Sequence, residues 1–207
     1  MRCCKKIIKQ LVQVFCTLLV CGMTSLAAGE GIEINKAEAR LTDDGYLLSA
    51  DFTIQLPTAV EDALKRGITL YFVSEFAVHR SRWYWIDSGI ESYSQTTKLS
   101  YNTLTQQYRI SRGGLYQSFP ELKSALRTLG HQTAPAIAAG LLEKMGGGYL
   151  SRWSKKGSQV GATVMMRLDL TQLPKPVQVS ALTNDQWNLE STRYHWDINP
   201  DTSGGAD

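Results

Sequence analysis

The chain has 207 residues, with 22 Lys and Arg against 19 Asp and Glu, and a formal net charge of +3. Four of the basic residues and none of the acidic ones lie within the first 27 residues, which leaves 18 basic against 19 acidic residues in the remainder. A nearly neutral chain has no overall field that would draw it onto nucleic acid, so nucleic acid is not expected as a partner.

The N-terminus has the three-part layout of a secretory signal peptide. A basic segment comes first, an apolar stretch follows at residues 11–23, and Ser25-Leu26-Ala27 ends the pattern with small residues. The apolar stretch is shorter than the roughly 20 residues that a membrane-spanning helix needs. We therefore predict a cleaved signal peptide over residues 1–27 and a periplasmic location.

Two alternatives to cleavage remain open. An uncleaved signal would anchor the protein in the inner membrane, and membrane contact is expected only through that segment. A lipoprotein would use Cys21, but Val20 stands before it where lipid-attaching processing wants a small residue. Because Cys3, Cys4, Cys16 and Cys21 all lie in the signal, the processed chain would have no disulfide, no thiolate metal site and no cysteine nucleophile.

Residues 28–198 are predicted to form one β-rich domain, and the polar residues 199–207 a flexible C-terminal tail. Apolar and polar residues alternate over Tyr46–Leu56, which predicts a strand with one buried face. The turn-forming Asp43-Asp44-Gly45 before it predicts a hairpin with a strand over Ile32–Leu41.

A short helix is predicted next. Pro57-Thr58 opens it, Thr58 and Glu61 form a capping box, and Gly67 ends it. A second long strand is predicted over Ile68–Val78, where the apolar alternation is interrupted by Ser74.

The second half of the chain predicts further strands and one more helix. The helix has Ser118 as cap, Glu121 reaching back to it, and Gly130 at its end. An extended, rigid link is predicted over Leu173–Pro176, since proline cannot donate to a β-ladder. The strands are predicted over Trp83–Asp87, Lys98–Asn102, Gln107–Ser111, Val160–Leu170 and Trp187–Trp196.

These elements predict a mainly β fold, an antiparallel sandwich with two short helices, for which an immunoglobulin-like arrangement is one candidate. The alternative is an α+β fold in which an open antiparallel sheet has its helices on one face.

Several blocks of the chain, taken in order, carry a family resemblance: Phe76–Trp85, Lys98–Tyr101, Gln107–Ser111, Arg167–Asp169, Gln172–Pro176, Gln178–Leu182 and Trp187. They resemble the domain-of-unknown-function family numbered 4390, exported proteins of β-proteobacteria and relatives. The family has no established activity. Its members are often encoded beside a membrane sensor kinase of the nitrogen-regulation type, which implies an extracytoplasmic accessory role with such a kinase as a partner. The chain is longer than the family pattern around Gly140–Gln159.

The inventory of catalytic residue types is poor. The three histidines, His79, His131 and His195, do not stand at metal-ligand spacing, and no serine-hydrolase or phosphate-binding motif occurs. No metal or other cofactor is expected, and we predict a non-catalytic binding or accessory domain. Two alternatives stay open: a hydrolytic enzyme whose site is assembled in space, and a carrier of a small apolar ligand held between sheets.

The predicted partner-binding site is Arg80, Arg82, Trp83, Tyr84 and Trp85. Arginine, tryptophan and tyrosine dominate the energetics of protein interfaces. If the alternation of the preceding strand continued, Arg80 and Arg82 would lie on its buried face. Burying two arginines without partners is very unfavourable. Either the phase changes near these arginines and the tryptophans enter the core, or the strand leaves the core and the tryptophans are displayed.

Overall fold

The computed structural model describes residues 31–80, 88–137 and 160–198. Three short helices are α1 (Thr58–Lys65), α2 (Leu122–Gly130) and α3 (Lys175–Leu182), and two single 3-10 turns cover Leu170–Gln172 and Asp185–Trp187. The strands in the described ranges are β1 (Gly31–Thr42), β2 (Gly45–Gln55), β3 (Leu70–Arg80), β4 (Ser88–Asn102), β5 (Gln107–Arg112), β6 (Leu115–Phe119), β7 (His131–Thr133), β8 (Val160–Leu168) and β9 (Tyr194–Ile198).

The strands form two antiparallel sheets in a sandwich-like arrangement, which confirms the predicted mainly β fold. The smaller sheet has the order β1-β2-β7, and the larger sheet has the order β6-β5-β4-β3-β8-β9. Immunoglobulin domains divide their strands between sheets as ABED and CFG. Here four consecutive strands, β3 to β6, lie side by side, so the strand order is not that of an immunoglobulin domain.

The first hairpin forms as predicted. β1 and β2 pair from Gly31 opposite Gln55 to Thr42 opposite Gly45, and the Thr42 hydroxyl donates a 2.7 Å hydrogen bond to the Gly45 carbonyl. The alternating apolar side chains from Tyr46 to Ile54 are all buried. Side chains alternate between the two faces of a strand, so the other face of this hairpin lies on the outside of the sandwich.

One apolar core receives side chains from both sheets and from all three helices. Its largest fully buried members include Leu48 of β2, Phe72 and Phe76 of β3, Leu64 of α1 and Leu129 of α2. Burying a side chain of this size contributes roughly 1.5–3 kcal/mol. The two amphipathic helices are therefore part of the same core as the sheets.

A buried polar bridge joins the two sheets where the sequence pattern of β3 is interrupted. Ser74 of β3 donates to Gln132 Oε1 of β7 over 3.2 Å, and Gln132 Nε2 donates to the Leu129 carbonyl. Ser74 and Gln132 are both buried. Buried polar groups are stable only when hydrogen-bonded. The shorter of the two Ser74 hydroxyl contacts crosses to the smaller sheet, and the other reaches the Gln95 carbonyl over 3.4 Å.

Helix α2 approaches β2 closely at its last residue. A Cβ atom added to Gly130 would lie 2.1 Å from the Phe52 carbonyl oxygen. Only glycine fits there, so the glycine that ends this helix also sets the distance between the helix and the smaller sheet.

The predicted capping boxes are wrong. Pro57 precedes α1 without a side-chain cap, and its carbonyl accepts the first hydrogen bonds, from Val60 and Glu61 at 3.0 Å. Ser118 does not cap α2, because its backbone belongs to β6, opposite Arg109.

The link predicted over Leu173–Pro176 is also wrong, since α3 begins there. Pro174 precedes the helix and Pro176 lies in its first turn, where backbone N–H groups have no acceptor within the helix, so proline is tolerated. The last strand is shorter than predicted and is β9 alone, because Trp187 ends a 3-10 turn that the Asn184 side chain caps.

No helix within the described ranges is long and apolar enough to cross a lipid bilayer.

Candidate functional site

Most of the partner-binding segment predicted from sequence falls outside the described residues. Arg80 is the last residue of β3, with its backbone opposite Ser88 of β4 and Val160 of β8. The Arg80 side chain and all of Arg82, Trp83, Tyr84 and Trp85 lie outside the described part of the chain. Whether the tryptophans are core or surface therefore stays a prediction.

Two histidines distant in sequence meet on the outer face of the larger sheet. The rings of His79 on β3 and His195 on β9 have centroids 5.8 Å apart and an edge-to-face geometry. Gly161 of β8 lies between these strands, and a Cβ atom there would be 2.6 Å from His79 Nε2. The described residues contain no group of three or more His, Cys, Asp or Glu that could hold a metal ion.

The third histidine pairs with a carboxylate on the smaller sheet. His131 Nδ1 lies 2.7 Å from Asp51 Oδ1, and the two side chains are 60% and 50% exposed. No described hydroxyl is hydrogen-bonded to the His131 ring. A hydrolytic site needs a nucleophile beside the imidazole and a way to exclude water, and this exposed pair has neither within the described residues.

The outer face of the larger sheet brings together a row of tyrosines and a cation near the β6 edge. Tyr71 of β3 lies opposite Lys98 of β4, Lys98 lies opposite Ser111 of β5, and Ser111 lies opposite Tyr116 of β6. Neighbouring strands are about 4.8 Å apart, so the row spans roughly 14 Å. With Arg109 of β5, which adjoins it, we name this surface the tyrosine–cation face.

The alternation of each strand explains why these side chains share one face. Their neighbours Phe72, Leu99 and Ile110 are buried in the core. Because successive side chains of a strand point to opposite faces, Tyr71, Lys98 and the odd-numbered polar residues of β5 point outward.

The cations of the tyrosine–cation face lie against its aromatic rings. Lys98 Nζ is 5.5 Å from the centroid of the Tyr71 ring, and Arg109 Cζ is 4.8 Å from the centroid of the Tyr116 ring. A cation over an exposed ring contributes about 0.5–1 kcal/mol. Each contact favours one arrangement of its two side chains, so a partner would find them partly ordered.

The charge of this face is not neutralised within the described residues. Neither Lys98 nor Arg109 forms an ion pair with a described carboxylate, whereas Arg167 further along the sheet pairs with Glu75 at 3.2 Å. Tyr116 is 70% exposed, and its neighbour Leu115 is 80% exposed. Exposed tyrosine and arginine are typical of interface hot spots, and Leu115 adds exposed apolar area on the other face of the same strand.

A shallow polar cleft of about 350 Å³ adjoins the same face at the β4–β5 turn. Arg109 belongs to both the cleft and the face, and the remaining wall is mainly hydroxyl and amide groups. Such a wall offers hydrogen bonds but no nucleophile–base pair. The lining residues are Gly67, Thr69, Ser100, Tyr101, Asn102, Thr103, Leu104 and Arg109.

On the inner side of β5, a second arginine is used for structure. Arg112 Nε donates to the Thr97 hydroxyl and its Nη2 donates to the His131 carbonyl, both at 3.2 Å. Burial lowers the pKa of the Arg112 guanidinium, while Tyr93 opposes the shift. Arg112 therefore ties the two sheets together, and Arg109 on the opposite face is the arginine available for binding.

Sequence reasoning identified β5 but missed the tyrosine–cation face. It ended a strand at Ser111 and placed a helix cap at Ser118, whereas Gly113 and Gly114 form the turn of a hairpin, with φ of 54° and 88°. A Gly-Gly pair between two short alternating segments is a hairpin signal. That signal would have placed Tyr116 opposite Ser111.

Comparison with known proteins gives one match. The family model of a domain of unknown function, DUF4390, matches residues 29–197. No curated protein and no solved structure matches the chain.

Proposed function

The chain belongs to the DUF4390 family, and we propose that it is an exported, non-catalytic domain that binds another protein of the bacterial envelope. The tyrosine–cation face carries this proposal. It combines ordered Tyr and Arg side chains, positive charge without a described ion-pair partner, and exposed apolar area beside it.

Export is supported by the N-terminal pattern of basic, apolar and small residues. The compartment follows from that pattern alone: the periplasm after cleavage, or the outer side of the inner membrane if the segment is retained as an anchor. In both cases the domain of residues 28–198 would meet envelope proteins and not cytoplasmic ones.

A non-catalytic role is supported by the arrangement of the polar residues. Ser74, Gln132 and Arg112 make hydrogen bonds that join the sheets. The Asp51–His131 pair stands in solvent without a hydrogen-bonded nucleophile among the described residues. The exposed tyrosine, lysine and arginine side chains of the tyrosine–cation face suit recognition better than bond cleavage.

A membrane sensor kinase is the partner class we propose first, and its support is the family resemblance. The chemistry of the face adds one requirement: the partner should present carboxylates, because Lys98 and Arg109 have no described acid beside them. Opposite charges across an interface steer encounter and fix orientation.

The experiment is a comparison of charge variants in the native host. The tagged protein is purified from cross-linked envelopes, and co-purifying proteins are quantified by mass spectrometry for wild type, for Lys98→Glu/Arg109→Glu and for Lys123→Glu, an exposed lysine on α2 away from the face. We expect a set of envelope proteins recovered with wild type and with Lys123→Glu but lost with the double variant. Equal recovery in all three would contradict a role for the face.

A further inference from the structure

The outermost strand of the larger sheet has a free edge beside the tyrosine–cation face. β6 is the terminal strand in the sheet order and pairs only with β5 among the described strands. Natural proteins usually protect such edges with charged residues or proline. β6 reads Leu-Tyr-Gln-Ser-Phe and has neither.

The register of the hairpin identifies which backbone groups are free. Two glycines separate Arg112 from Leu115, and the residues that flank a two-residue hairpin turn exchange backbone hydrogen bonds. Along an antiparallel ladder, hydrogen-bonded residue pairs alternate with pairs that exchange no hydrogen bonds. Gln117 also bonds to β5. Tyr116 and Ser118 therefore direct their N–H and C=O groups away from β5, toward the open edge.

The two faces of β6 have different chemistry at this edge. Tyr116 and Ser118 point to the outer face, where Arg109 lies over the Tyr116 ring. Leu115 points to the inner face and is 80% exposed. A strand laid along β6 would thus meet a cation on one face and uncovered apolar surface on the other.

We propose that β6 accepts an extended acidic segment of its partner protein as an additional antiparallel strand. The segment would alternate acidic and apolar residues, with carboxylates toward Arg109 and apolar side chains over Leu115. This inference rests on the proposed binding function and names how that function is performed. Strand addition of this kind takes its affinity from main-chain hydrogen bonds and its specificity from alternate side chains.

The antiparallel orientation gives a defined pairing. Residues directly opposite each other in an antiparallel pair point to the same face. The acidic residues of the segment would lie opposite Tyr116 and Ser118 and exchange backbone hydrogen bonds with them. The apolar residues would lie opposite Leu115 and Gln117, with their own N–H groups directed away from β6.

The probe is a ten-residue peptide in which valine alternates with glutamate, compared with its valine–lysine counterpart. Amide exchange of the ¹⁵N-labelled processed protein is measured by NMR with and without each peptide. We expect the Val–Glu peptide to slow exchange at Tyr116 and Ser118, whose amides exchange freely without it, while the Gln117 amide is already protected. Arg109→Glu should lower the affinity for the Val–Glu peptide by about tenfold or more and raise the affinity for the valine–lysine peptide.

Two matched pairs separate strand addition from side-chain contact. N-methylation of the glutamate residues should abolish binding, whereas N-methylation of the valine residues should not. Ser118→Pro removes an edge N–H and should abolish binding, whereas Ser118→Ala should bind as wild type does. The methylated peptides give the answer even if Ser118→Pro fails to fold.

Several results would overturn the inference. Binding without slowed exchange at Tyr116 and Ser118, or unaffected by glutamate N-methylation, would mean contact through side chains only. Sensitivity to valine N-methylation instead would exclude the antiparallel orientation. No binding by the Val–Glu peptide at millimolar concentration would end the proposal of an acidic strand. The co-purification result for Lys98→Glu/Arg109→Glu is independent of all these, so the proposed function can survive the loss of this mechanism.

Discussion

The polar bridge between the sheets gives a quantitative test of the fold. Gln132 is fully buried, accepts from Ser74 over 3.2 Å and donates to the Leu129 carbonyl. Gln132→Leu keeps nearly the same side-chain volume but leaves the Ser74 hydroxyl and the Leu129 carbonyl without the amide of Gln132. An orphaned buried polar group costs about 1–3 kcal/mol, and the Ser74 hydroxyl keeps only a 3.4 Å contact to the Gln95 carbonyl. We expect Gln132→Leu to lower the free energy of unfolding by about 2–4 kcal/mol.

Ser74→Ala provides the second arm of a double-mutant cycle. Alone it should cost about 1 kcal/mol. In the Gln132→Leu background, Ser74→Ala should cost less, because it removes the hydroxyl that Gln132→Leu leaves without its partner. We expect a coupling energy of about 1 kcal/mol between the two substitutions. Urea denaturation followed by tryptophan fluorescence measures all four proteins. Strict additivity, or a silent Gln132→Leu, would refute the contact between β3 and β7.

Four further predictions test other parts of the account. Gly130→Ala should destabilise the protein by about 3 kcal/mol, because the obstacle is a backbone carbonyl of β2 that cannot rotate away; a loss below about 1 kcal/mol in the same urea titration would mean that α2 lies further from the sheet. Burial raises the pKa of Asp169, but hydrogen bonds from the Thr171 hydroxyl and backbone N–H lower this pKa by more, so it lies below the ordinary aspartate value. The stability that the Asp169 carboxylate contributes is therefore present above the ordinary aspartate pKa and is lost as the pH falls through the lowered pKa. The difference in melting temperature between wild type and Asp169→Asn should narrow on acidification, and a difference that stays constant with pH would contradict this. If Trp83 and Trp85 are core, alanine at either should cost about 3–5 kcal/mol in thermal denaturation; if they are displayed, the melting temperature should hardly change while partner binding falls. Export predicts a periplasmic protein whose N-terminus lies near Ala28, and soluble cytoplasmic protein that retains its first residues would contradict it.

The sheets could be predicted where the hydrophobic pattern is strictly periodic. Alternation in β2 follows directly from one buried face, and β8, although buried on most of both faces, also lies where its apolar pattern places it. Helix starts were less predictable. Ser118 followed by Glu121 fits the sequence pattern of a helix cap, but the same serine can pair in a strand, as it does in β6. Pro174 and Pro176 were ambiguous for a similar reason: proline suits both an extended link and the first turn of a helix.

The tyrosine–cation face was harder to predict because it depends on register between strands. Tyr71 and Tyr116 are 45 positions apart in the chain, and only the pairing of β3, β4, β5 and β6 brings them into one row. Composition identified Arg and aromatic residues as the partner-binding chemistry, and placed it at Arg80, Arg82, Trp83, Tyr84 and Trp85. The described structure shows arginine and tyrosine on the outer face as well.

The central claim is that the tyrosine–cation face contacts an envelope protein in the cell. The most direct measurement is site-specific photo-crosslinking in the native host, with a photoreactive phenylalanine analogue in place of Ser111, at the middle of the face, or of Ser49, on the outer side of the smaller sheet. We predict an adduct with an envelope protein from position 111 that disappears when Lys98→Glu is added, and none from position 49. Equal adducts from both positions, or an adduct from position 111 that persists after charge reversal, would contradict the account.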